Sequence, residues 1–169
     1  MLLFDMTRLL NRRGFLLGTA TAALAGCGFA LRRPPPLAFS SITLTGFAPR
    51  SALALELKEA LSRSVRVLDT PAQAEVVLHA IIDARERSVV AQTSAAQVRE
   101  LQLRVKFNFK ASTPGGRELL PTSALLLARD MSFNESAALA KEQEQAELYR
   151  EMQSDLVLQV MRRLAAIKL

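Results

Sequence analysis

The sequence predicts an α+β domain: two helices packed on one face of a four-stranded, mostly antiparallel sheet, in the order β-α-β-β-β-α. Three observations carry this. Arg99 to Ala111 alternates without a break. Leu101, Leu103, Val105, Phe107, Phe109 and Ala111 point one way, and Glu100, Gln102, Arg104, Lys106, Asn108 and Lys110 the other. Such a strand has one face on a core and one in water. Leu148, Met152, Leu156, Val160 and Leu164 recur every fourth residue in a stretch free of Gly and Pro, the stripe of an amphipathic helix. Leu53, Leu57, Ala60 and Leu61 form a second, shorter helical face.

The elements follow in order. Ser41 to Phe47 alternates, with Ile42 and Leu44 on one side, and reads as the first strand. Pro49 ends it, and Ser51 is placed to cap the first helix. Val65-Arg66-Val67 is a brief extended piece, broken by Asp69-Thr70-Pro71. Val76 to Val90 is a long strand, with Val76, Leu78, Ala80, Ile82 and Ala84 on one face. His79, Asp83, Arg85 and Arg87 fall on the other. Gln92 to Ala96 is a small polar loop before the strand Arg99–Ala111. Pro114-Gly115-Gly116 turns the chain into a strand from about Glu118 to Phe133, where Leu119, Leu125, Leu127 and Met131 share parity. Pro121 places this strand at a sheet edge or marks a bulge. Asn134 can cap a last helix of about 30 residues, about 45 Å long. Its early turns, at Leu139, Gln143 and Ala146, are the less apolar ones.

Composition narrows the chemistry. Of 169 residues, 50% are hydrophobic and 5% aromatic, with no Trp, one Tyr, one Cys and one His, and the net charge is +6. The hydrophobic fraction suits one folded domain. So few rings disfavour a stacking platform for single-stranded nucleic acid despite the charge. Cys27 and His79 cannot form a zinc site or a disulfide framework. His79, mid-strand with no nucleophile suggested nearby, reads as a half-exposed strand residue rather than a base. Glu142, Glu144, Glu147 and Glu151 read as a solvated helix face near the positive end of the helix dipole, not as metal ligands. No catalytic residue, metal site or cofactor is expected, and the sequence contains no internal repeat or phosphate-binding glycine loop.

Residues 1–26 read as an export signal. Arg8, Arg12 and Arg13 form a basic start, and Phe15 to Ala25 is uncharged. That apolar run is shorter than the roughly 20 residues a membrane-spanning helix needs. It ends Leu24-Ala25-Gly26-Cys27, which resembles the lipobox of bacterial lipoproteins. The resemblance implies that Cys27 is S-diacylglycerated and, after cleavage, N-acylated, an anchor strong enough for stable membrane attachment. The competing reading of Cys27 is a buried free thiol at a helix end. Gly28 occupies the position where Asp resembles an inner-membrane retention signal, so the outer membrane is favoured. Arg12-Arg13-Gly14-Phe15-Leu16 resembles a twin-arginine motif, and the export route stays open between that and the general one. Cleavage removes three basic residues and Asp5, lowering the net charge to +4. Residues 27–40, with Arg32-Arg33-Pro34-Pro35-Pro36, form a stiff tether, and 41–169 form the single domain.

The remaining charge invites a site. Arg85 and Arg87 share a strand face, and Arg104, Lys106 and Lys110 share another. Paired as a hairpin, both sets are expected on the same wet side of the sheet. There they would act as phosphate ligands or as ordinary solubilising charge.

At this point the chain resembles a family, the lipopolysaccharide-assembly lipoprotein LptE. Cys27-Gly28-Phe29-Ala30-Leu31-Arg32 is similar to its start after the lipobox. Ala138-Leu139-Ala140-Lys141-Glu142 with Gln145 resembles the entry into its last helix. Leu148-Tyr149-Arg150-Glu151-Met152, Asp155 and Arg162-Arg163-Leu164 resemble the helix body. The resemblance implies an outer-membrane lipoprotein on the periplasmic side. Such a protein plugs the β-barrel of LptD, assists its assembly and takes part in delivering lipopolysaccharide to the cell surface. It also implies binding of lipopolysaccharide through basic residues, one of them matching Lys141. The other belongs to the loop between the second and third strands, which here reads Ala91 to Ala96 without charge, so that Arg99 or Arg87 would have to substitute. The triple proline is a second departure. The alternative function is an accessory lipoprotein of an ABC-type lipid transport system. Neither reading involves nucleic acid.

Overall fold

The computed structural model describes residues 36–169. The export signal, Cys27 and the tether up to Pro35 lie outside the described residues. Five strands form one sheet in the order β2-β1-β3-β4-β5: β1 Ser41–Thr45, β2 Arg66–Leu68, β3 Val76–Gln92, β4 Val98–Ser112 and β5 Glu118–Ser132. Two helices complete it, α1 Ala52–Ser62 and α2 Ala138–Ala165.

The sheet has one strand more than expected. The fifth strand is the brief extended piece, shifted by one residue to Arg66–Leu68. It pairs in parallel with β1, and the Arg66 amide donates to the Ser40 carbonyl at 3.0 Å. Three residues are too few to display an alternation, so only the pairing identifies a strand. The sheet is also mixed. β1 runs parallel to both β2 and β3, while the long β3–β4 and β4–β5 pairings are antiparallel.

The helices lie over one face, as the patterning requires. Ser51 caps α1, its hydroxyl accepting from the Ala54 amide at 3.1 Å, and Leu53, Leu57 and Leu61 are buried. The six apolar residues of β4 are all buried, with Phe107 and Phe109 stacked at 5.1 Å between ring centroids. Met152, Leu156, Val160 and Leu164 of α2 close the core from above. Deleting such side chains costs about 2–5 kcal/mol each. Ahead of β1, the Ser40 hydroxyl and amide donate to the Glu75 carboxylate at 2.6 and 2.8 Å and hold its pKa below the ordinary value.

Two bulges correct the expected faces. In β3, Ala80 pairs with Phe109 but Ile82 pairs with Asn108, so Ile81 is an extra residue. Because side chains alternate with period two, one inserted residue turns over everything after it. Asp83, Arg85 and Arg87 therefore stand opposite Phe107, Val105 and Leu103, on the helix side. Ile82 and Ala84 move to the wet face, and Ile81 and Ile82 are exposed. In β5, Phe109 pairs with Ser123 and Ala111 with Leu120, leaving Pro121 and Thr122 across from Lys110 alone. Pro121 thus meets both conditions anticipated for it, a bulge and an edge strand. As a consequence Leu120, not Leu119, faces Ala111.

The last helix begins later than expected. Asn134 does cap, accepting from the Ser136 amide at 3.1 Å, but it caps a short 3₁₀ turn, Glu135–Ala137. α2 then runs 28 residues from Ala138, and its first buried residue is Tyr149.

Candidate functional site

The bulge at Ile81 divides the basic residues. Arg85 and Arg87 reach up to α2 rather than out from the sheet. The Arg85 guanidinium lies 5.4 Å from the Tyr149 ring centroid and donates to Gln153 Oε1. Gln153, itself buried, passes the contact on, donating to Glu56 at 2.6 Å and to the Ala52 carbonyl at 3.3 Å. Arg87 Nη1 donates to Gln145 Oε1 at 3.2 Å. The Tyr149 hydroxyl donates to the Glu86 carbonyl at 2.7 Å. Burial raises the pKa of this phenol, outweighing the charges of Arg85 and Arg87, which act the other way.

Arg104 and Lys106 lie on the opposite face. Arg104 Nε donates to Gln102 Oε1 at 2.7 Å, and Lys106 pairs with Glu86 at 2.7 Å. The expected single patch of Arg85, Arg87, Arg104 and Lys106 on one wet side therefore does not form. The β3–β4 pairing is as anticipated, but the inserted Ile81 puts the two sets on opposite sides of the sheet.

Lys141 and Arg99 do come to one end of the sheet. Lys141 Nζ donates to the Ser132 hydroxyl at 3.0 Å, and Ser132 pairs with Glu100. The Phe133 amide donates to the Arg99 carbonyl at 2.8 Å. Arg87, bonded to Gln145 one helical turn past Lys141, belongs to the same end. Lys141 is already compensated by Glu144 at 2.7 Å, three residues along the helix. Two clefts open here. One, about 250 Å³, is lined by Gln97, Val98, Arg99 and the turn Asn134, Glu135 and Ser136. The other, about 290 Å³, is lined by Arg87, Ser88, Val89, Val98, Leu101 and Phe133.

Several parts of this end carry no signal in the sequence. Phe133, Val89 and Val98 read as strand ends and loop flanks, and only pairing collects them. Tyr149 and Gln153 were more accessible, since both lie near the apolar stripe of α2, where a buried amide is rare and needs partners. His79 is exposed on the wet face, its Nδ1 3.1 Å from the Thr45 hydroxyl. The glutamates of α2 are exposed, with Glu147 pairing to Arg150.

Solved structures share this architecture. An uncharacterised lipoprotein B from Nitrosomonas europaea is 25% identical with a TM-score of 0.71, covering 82% of this chain and 91% of its own. A minor lipoprotein from Acinetobacter baumannii is 22% identical with a TM-score of 0.64, covering 78% and 94%. The rare lipoprotein B from Shewanella oneidensis is 25% identical with a TM-score of 0.59, covering 74% and 90%. The fold is thus that of small lipoprotein domains. Residues 39–164 match the model of LptE, the lipopolysaccharide-assembly family, and the chain belongs to that family. The LPS-assembly lipoprotein LptE of Pectobacterium atrosepticum is 28% identical over 156 residues, 90% of this chain and 84% of the relative. Among the described residues, no helix is long and apolar enough to cross a membrane.

Proposed function

We propose that this lipopolysaccharide-assembly lipoprotein is anchored through acylated Cys27 to the outer membrane, on its periplasmic side. There it plugs an LptD-type β-barrel, assists its assembly and helps to pass lipopolysaccharide to the surface without acting as an enzyme. The observation that carries the reading is the family match over residues 39–164, joined to a sheet with one polar face. On that face Gln102, Arg104, Lys106 and Asn108 are half-buried, and their polar ends suit a polar barrel interior. Lys141 and Arg99 are the favoured lipopolysaccharide ligands, because they share one end of the sheet and lipid A phosphates attract guanidinium and ammonium groups. Arg87 joins them from the helix side. Arg85, engaged by Gln153 and Tyr149, serves the fold instead.

The test is co-purification of the acylated full-length chain from detergent-solubilised outer membranes. A large β-barrel is expected to co-elute. Its absence, with cross-links to inner-membrane transport proteins instead, would sink the plug reading in favour of the ABC-type alternative. In parallel, Cys27→Ala is expected to leave an uncleaved precursor that takes up no labelled fatty acid. Acylation of that variant would refute the anchor.

A further inference from the structure

The cleft beside Arg87 combines two chemistries that rarely meet without purpose. Val89, Val98, Leu101 and Phe133 supply apolar walls. Leu101 is buried beneath, while Val89 is 44% exposed at the mouth. The volume, about 290 Å³, sits at the lower edge of the range for small-molecule sites. Arg87 lines it directly and spends only one bond, at 3.2 Å, on Gln145, leaving guanidinium donors for a ligand. The neighbouring polar cleft shares Val98 and adds Arg99. An apolar slot bordered by cations is complementary to one kind of molecule, an anionic amphiphile.

The helix above is placed to admit one. No residue of α2 before Tyr149 is buried, and its first turns meet the sheet through polar contacts, Lys141 to Ser132 and Gln145 to Arg87. Leu139, in the first turn, is 71% exposed. A chain entering here would disturb no buried side chain of α2. The carboxylates nearby, Glu135 in the polar cleft and Glu144 on Lys141, set the cost: a bound anion must compete with Glu144 for the ammonium.

We propose that the cleft walled by Val89, Val98, Leu101 and Phe133 seats one acyl chain of a phosphorylated lipid, with Arg87, Arg99 and Lys141 holding the head group. This rests on the lipopolysaccharide-binding reading above and goes past it by assigning the acyl chain its own place. Each methylene removed from the seated chain then weakens binding by about threefold to fourfold.

The test uses the acylated full-length protein in zwitterionic nanodiscs, with the photoreactive residue benzoylphenylalanine at Val89, at Ala140 or, as a control, at Leu158. The probes are intact lipopolysaccharide and its fully deacylated form. Position 89 is expected to cross-link to the intact form alone, position 140 to both, and position 158 to neither. Cross-linking at 140 but not at 89, or equal cross-linking of the deacylated form at 89, overturns the acyl seat and leaves the head-group reading standing. No cross-link at either 89 or 140 overturns both. A second measurement is Val89→Asp, at a site exposed enough to leave the core intact. It is expected to weaken binding of intact lipopolysaccharide at least tenfold and to leave the deacylated form within twofold. Equal effects on both probes count against the seat.

Discussion

The hydroxyl of Tyr149 donates to the backbone carbonyl of Glu86 across 2.7 Å, and this bond ties the middle of α2 to β3 beyond its bulge. It marks the change from the polar first half of the helix to the apolar second half. Ahead of it, α2 meets the sheet through Lys141, Gln145 and their partners. After it, Met152, Leu156, Val160 and Leu164 are fully buried.

Tyr149 is also the sole tyrosine of a chain without tryptophan, so ultraviolet titration reports it alone. Its pKa is raised by burial, and the phenol is expected to ionise above the ordinary value of about 10. The neutral form is the one favoured by folding. Its stabilisation is complete below the unfolded-state pKa and is lost as pH rises through the folded one. Tyr149→Phe is expected to cost about 0.5–1.5 kcal/mol in chemical denaturation, the worth of the hydrogen bond. A midpoint unchanged at neutral pH would show that the bond contributes nothing.

The inserted Ile81 sends Arg85 and Arg87 to the helix side. Deleting it should return them to the wet face, strand Gln153 and Gln145 without their partners and bring Ile82 under the helices. A loss of about 2 kcal/mol or more in unfolding free energy is expected. Ile81→Thr, which keeps the count, should stay within about 1 kcal/mol of the parent, because Ile81 is 48% exposed. Equal stability of the deletion and the parent would contradict the bulge.

Gly46 and Gly116 both have positive φ, +79° and +88°, but only one is crowded. A Cβ on Gly46 would lie 2.3 Å from the Ala80 carbonyl oxygen and 2.9 Å from the His79 ring. At Gly116 it would meet nothing within 4 Å. Gly116→Ala is expected to cost about 1–2 kcal/mol, the left-handed penalty alone. Gly46→Ala must add displacement of backbone, so its thermal midpoint should fall clearly further. Similar midpoints would argue against the close approach of β1's end to β3.

Lys141→Asp is expected to reduce affinity for lipopolysaccharide about tenfold or more while leaving the circular dichroism spectrum and melting temperature near those of the parent. Arg104→Asp, on the other face of the sheet, should bind as the parent does. The reverse ranking would move the site to the wet face.

Much of this molecule is legible from its residues. The alternation of Leu101 to Ala111 places the central strand and its buried face. The fourfold spacing from Met152 to Leu164 places the last helix, and Ser51 and Pro121 mark a cap and an edge. These signals are local, because side-chain period and capping chemistry act within a few residues. The lipobox resemblance at Cys27 and the helix-entry resemblance around Lys141 are local too.

What the residues could not disclose depends on partners distant in the chain. β2 exists because Arg66–Leu68 finds β1, not because three residues prefer to be extended. The bulge at Ile81 exists because Val76–Ala80 must match Phe109–Ala111 while the later stretch must offer Arg85 to Gln153, 68 residues away. Two registers held at different ends of one strand force one residue out of line. The sequence by itself determined the core, the class of fold and the family resemblance. Only the tertiary structure decided which cations stand together, since a single inserted residue reverses the side on which a strand presents its charges.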